Sequence, residues 1–172
     1  MMTQDEFLIS FNSAAGAYKA ETGGGSIEGY FHVDIWEDEP TGFKARAYVD
    51  DSGNYILAFA GTEDFQDLYQ DLANFGMGQW ELKRNEIIDH FKAILLSGEV
   101  INSIQFTGHS LGGALAQYAA YDFVTEVTDT GYLIPAVKVT LTTFNALGGE
   151  LGLASEYGID YDPDLLVTDN IH

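Results

Sequence analysis

The residues with the clearest chemical purpose lie mid-chain, at Gly108-His109-Ser110-Leu111-Gly112. A G-x-S-x-G run where an apolar strand meets a helix sets its serine on a sharp turn with the hydroxyl clear of the sheet. The flanking glycines let strand and helix approach closely. Ile101 to Thr107 has the character of such a strand, and Ala114-Leu115-Ala116-Gln117-Tyr118-Ala119-Ala120 that of such a helix. A helix beginning just after Ser110 aims unpaired N–H groups and the positive end of its dipole at the place where an oxyanion would form. Ser110 is therefore the expected nucleophile of an acyl transfer, and the Leu111 N–H its first oxyanion donor.

A serine hydroxyl needs a base, and the base needs an orienting acid. On folds that use this turn the chain order is serine, then acid, then histidine. Of the four histidines only His172 follows Ser110. His109 sits inside the turn and points away from the serine, His32 belongs to an early hairpin and His90 to a long helix; all three read as structural or solvent-facing. The acid is expected after the strand that follows Phe144, and Asp169, just past Leu165-Leu166-Val167-Thr168, has the best position. Asp169 and His172 are only three residues apart, with no element between them to carry an imidazole over the serine. Two explanations compete. The favoured expectation is a chain truncated before its last catalytic segment, with the true acid and histidine beyond residue 172. The other is a compact Asp169–His172 pair on a mobile C-terminus.

Other chemistries are poorly supported. Zero cysteines exclude a disulfide scaffold, a thiolate nucleophile and cysteine–zinc sites. His-x-x-x-His, EF-hand spacing and a P-loop are all missing, so nothing nominates a metal or a nucleotide. Asp160, Asp162 and Asp164 read as a solvated acidic loop rather than a calcium site.

Elements must hold these residues in place. Thr3 and Glu6 have capping-box spacing, ahead of a helix with Phe7, Leu8, Phe11, Ala14, Ala15 and Tyr18 at helical intervals. Phe31, Val33 and Ile35 alternate with polar neighbours as in a half-buried strand, as do Phe43, Ala45, Ala47 and Val49. The turn Asp50-Asp51-Ser52-Gly53-Asn54 leads into the apolar stretch Tyr55 to Ala60, a hairpin whose second strand lies deep in a sheet. A helix is expected over 80–97, with Leu82, Ile87, Ile88, Phe91, Ile94 and Leu95 on one side and Gly98 as its cap. Strand 101–107, a helix from Leu111 to about Thr125, strand 137–144, a short helix over 148–157 and a strand starting at Leu165 follow. Antiparallel pieces followed by βαβαβ predict one α/β domain over residues 1–172, with a mainly parallel sheet flanked by helices and an N-terminal antiparallel hairpin.

Gly108 to Ala116 resembles the nucleophile elbow of the class 3 (fungal-type) lipases and their bacterial relatives. Ala58-Phe59-Ala60-Gly61-Thr62, followed by Asp67 and Asp71, is similar to that family's oxyanion loop, and Thr143-Phe144-Asn145-Ala146 to its Thr-Phe-Gly-Ala strand end. The matches keep family order across about residues 55–146. The resemblance implies an α/β-hydrolase fold, a Ser–Asp–His triad and ester hydrolysis without a cofactor. It implies a second oxyanion contact from the N–H and hydroxyl of Thr62. Ala60 departs from the arginine common in the family, so an ion pair with Asp71 is missing. In the region of the family's lid helix, Phe65, Leu68, Tyr69, Leu72 and Phe75 fall at helical spacing within Glu63–Gln79. Flanked by Gly61, Gly76 and Gly78, that stretch reads equally as a lid over an apolar cleft or as a surface helix packed on the core.

Composition bounds the partners. Twenty-seven acidic against 7 basic side chains give a charge of −20, which disfavours nucleic acid and anionic membranes. Hydrophobic residues at 46% exclude a disordered acidic tail. No apolar run approaches a membrane span, and no N-terminal signal peptide is evident, which fits a cytoplasmic protein or one exported without a cleaved leader. The leading expectation is a serine hydrolase of lipid or other small carboxylic esters, in transient contact at most with a lipid interface. A thioesterase or peptidase on the same scaffold, and a catalytically incomplete fragment or binding module, are the alternatives.

Overall fold

A computed structural model of the chain describes residues 3–17, 27–61, 72–129, 137–146, 153–154, 158 and 168–171. The elements are α1 (Gln4–Gly16), β1 (Phe31–Asp38), β2 (Phe43–Val49), β3 (Asn54–Phe59), α2 (Leu72–Ser97), β4 (Ser103–His109), α3 (Leu111–Asp129), β5 (Lys138–Phe144) and β6 (Thr168–Ile171). The strands form one six-stranded sheet in sequence order. β1, β2 and β3 pair antiparallel, and β3 to β6 pair parallel. This is the expected mixed α/β sheet with its antiparallel N-terminal hairpin.

Two cores flank the sheet because both faces of β3 are buried. Leu57 and Phe59 join Phe106, Trp80, Phe91 and Tyr118 beneath α2 and α3. Ile56 and Ala58 face the other way, with Tyr48 and Ala60 in the layer that α1 covers. The turn before β3 is tied by Asp50, whose carboxylate accepts from the Ser52 and Asn54 N–H groups at 2.9 and 2.8 Å. α2 and α3 are clamped by the Trp80 indole donating to Asp122 Oδ2 at 2.7 Å. Arg84 Nε lies 3.0 Å from the same oxygen, and Lys92 Nζ 3.3 Å from Glu126, which Arg84 also pairs.

Three expectations from spacing need correction. The Thr3–Glu6 capping box forms and Ala14 is buried as expected, but Leu8 and Phe11 are 46% and 49% exposed, while Ser10 and Ser13 are buried. Their hydroxyls donate to the Glu6 and Ile9 carbonyls one turn back, so burying them leaves no polar group unpaired. Gln105 on β4 then donates to Ser10 Oγ at 2.7 Å, fixing α1 on the sheet. In β1 a register shift between His32 and Asp34 breaks the alternation, so that Trp36 rather than Ile35 is buried; Phe31 and Val33 are exposed as well. Finally, α2 begins at Leu72, so residues 72–79 are its first two turns rather than part of a separate helix. Leu82 lies on the outer face of α2, 57% exposed.

Candidate active site

β4 and α3 meet at Ser110, which has φ 59°, the left-handed region a serine avoids unless its surroundings enforce it. The enforcement comes from both sides. Its N–H donates to the Phe144 carbonyl at the end of β5 (3.0 Å), and its carbonyl accepts from Gly113 and Ala114 N–H (3.0 and 3.3 Å). The second set opens α3, so the first N–H groups of that helix, Leu111 among them, have no carbonyl one turn earlier to bond. Ser110 is 6% exposed.

Gly112 explains how the elbow closes. A Cβ there would overlap the Phe59 carbonyl oxygen and lie 2.8 Å from Ala60 C and 2.9 Å from Gly61 N. The first turn of α3 thus rests directly on the backbone that leaves β3, the segment singled out as the oxyanion loop. Gly108 faces the same junction, where a Cβ would collide with the Gly112 carbonyl. Thr62 lies outside the described residues; Gly61, immediately before it, is buried at this contact.

α2 covers the junction from the other side. A Cβ at Gly76 would lie 3.1 Å from Leu111 Cδ1 and 3.2 Å from the Tyr118 ring. Gly76 therefore serves a close helix–helix contact inside α2 rather than a flank of a separate segment. Burial pushes the Tyr118 phenol up to about 12, so it is neutral at physiological pH. Phe65, Leu68 and Tyr69 lie outside the described residues, and of Leu72 and Phe75 the structure describes the backbone, in the first turn of α2.

The histidines separate as their positions suggest. His109 is exposed whereas its neighbour Ser110 is buried. His32 stacks edge-on against Tyr48, and His90 Nδ1 is 3.3 Å from Asp34 Oδ2 with its ring against Trp36. Asp169 lies within β6, paired with Thr142, rather than just past the strand. Ile171, level with Phe144, ends β6 at the same end of the sheet as Ser110, and His172 lies outside the described residues. Among the described residues, no three His, Asp or Glu side chains are grouped to hold a metal ion, and no helix is long and apolar enough to cross a membrane.

Residues 26–130 match the Tle-like phospholipase domain family. The chain belongs to that family. It is 30% identical over 123 residues to an extracellular phospholipase A1 of Serratia liquefaciens, an alignment covering 72% of this chain and 33% of that protein. In three dimensions it is similar to lipase II of Rhizopus niveus (TM-score 0.66, 18% identity, 82% of this chain and 61% of the lipase). It is also similar to a triacylglycerol lipase whose catalytic centre is a serine-protease triad (TM-score 0.65, 17% identity, 83% and 63%). These likenesses establish the α/β-hydrolase lipase fold. The chain spans a third of the Serratia relative and under two thirds of these two lipases.

Proposed function

We propose that this Tle-like phospholipase domain hydrolyses carboxylic esters of lipids, phospholipids foremost, through an acyl-enzyme on Ser110. The observation that carries the reading is the left-handed Ser110 at the start of α3, held by the Phe144 carbonyl. Ser110 Oγ attacks the ester carbonyl and gives its proton to a histidine, and the Leu111 N–H and Thr62 stabilise the tetrahedral oxyanion. Collapse breaks the ester bond and expels the alcohol, which takes up that proton. Water then attacks the acyl-enzyme and releases the fatty acid. Within residues 1–172 the candidates for base and acid are His172 and Asp169, the second of which stands inside β6. Gly76 is packed against Leu111, so any lid in this reading is confined to residues before it.

Ser110→Ala is expected to lower hydrolysis of a short p-nitrophenyl ester and of phosphatidylcholine by about a thousandfold or more, with an unchanged melting temperature. A fluorophosphonate probe is expected to label wild type and not the variant. Retained turnover in Ser110→Ala defeats the mechanism, and undiminished labelling of His172→Ala removes His172 as base.

A further inference from the structure

Among the described residues only two non-glycines have positive φ, Ser110 at 59° and Asn145 at 50°. They stand side by side, each just beyond the carboxyl end of its strand, β4 and β5, which pair in parallel. Open α/β sheets bind their ligands at that edge.

The backbone on either side of Asn145 is pinned to the elbow. Phe144 before it accepts the Ser110 N–H at 3.0 Å. Ala146 after it packs on the first turn of α3 so closely that a Cβ at Gly113 would come within 2.6 Å of the Ala146 Cβ. Asn145 therefore arches outward between two contacts, and it is exposed. Asparagine is, beside glycine, a residue that takes this conformation readily, and here it sets a carboxamide, with two N–H donors and one acceptor oxygen, at that edge.

We propose that Asn145 is a specificity-determining residue. Its carboxamide donates to an oxygen of the substrate's glycerophosphodiester, beyond the ester being cleaved. A neutral donor suits such a group: it binds a phosphodiester oxygen without needing a cation, in a chain with only 7 Lys and Arg. The inference deepens the ester-hydrolase reading and rests on it.

The test compares wild type with Asn145→Gly, which keeps the backbone conformation and deletes the carboxamide, and Asn145→Asp, which keeps the shape and removes the donors. Each is assayed on phosphatidylcholine in mixed micelles and on p-nitrophenyl butyrate, which has no phosphodiester. Asn145→Gly is expected to lower the ratio of kcat/KM values, phosphatidylcholine over butyrate, by about 5- to 10-fold, mainly through KM. Asn145→Asp is expected to lower it further, because a carboxylate repels the phosphodiester. The melting temperature of Asn145→Gly should not fall. A ratio within twofold of wild type in both variants overturns the role of Asn145, and so does an equal loss on both substrates. Turnover that survives Ser110→Ala instead overturns the reading beneath it, and this inference with it.

Discussion

Gly112 makes the elbow geometrically feasible, since a single added methyl there meets backbone rather than side chain. The Phe59 carbonyl, Ala60 and Gly61 belong to the end of β3 and have no rotamer by which to move aside. Gly112→Ala is expected to cost about 2–3 kcal/mol of stability and to lower ester turnover as α3 is pushed off the strand end. Urea denaturation and ester kinetics check both, and a wild-type midpoint would contradict the contact. At this scale much was legible in the chain itself. The run Gly108 to Gly113 announces a serine on a strand–helix turn, because each residue type serves a local geometric need. Asn145 was visible only as an odd residue in a loose match. Its importance comes from standing beside Ser110, which depends on the pairing of β5 with β4.

Between elements, the α2–α3 clamp titrates in an unusual direction. Burial raises the Asp122 carboxyl above its ordinary 3.8, and the Trp80 hydrogen bond and Arg84 oppose this only in part. A carboxyl whose pKa is higher folded than unfolded binds its proton more tightly in the native state. Its contribution to stability is therefore full below pH 3.8 and is lost as pH rises through the elevated value. Asp122→Asn has no such titration, so wild-type stability relative to this variant should be greatest near pH 4 and decline towards neutrality. Urea melts across that range would contradict the assignment if the difference grew with pH. The order of elements was legible from hydrophobic period and turn residues, which are local. The facing of α1 and β1 was not. Ser10 and Ser13 are buried because their hydroxyls bond their own helix, and a bulge in β1 inverts the alternation after His32.

For the whole molecule, the dominant quantity is the charge of −20. Long-range repulsion weakens approach to an anionic surface and, for the proposed reaction, would favour departure of a fatty-acid product; salt screens both effects. At low ionic strength, phosphatidylcholine is expected to be hydrolysed faster than phosphatidylglycerol in otherwise identical mixed micelles. Raising salt to about 0.3 M, where the Debye length falls below about 8 Å, should narrow the gap. Faster hydrolysis of phosphatidylglycerol at low salt would refute this ordering.

The amino-acid sequence alone determined what depends on neighbours along the chain: the elbow, the capping box of α1, the β2–β3 turn and the alternation of strands and helices. These follow from backbone conformation and periodicity, which act over a few residues. Only the tertiary structure decided which groups separated in sequence stand together. It set Gly112 on the end of β3, Gly76 against Leu111, Asp122 under Trp80, and Asn145 beside Ser110. It also placed Asp169 within β6 instead of beyond its end. Such juxtapositions depend on strand register and close packing, and no local pattern encodes the distance between two segments that the fold brings together.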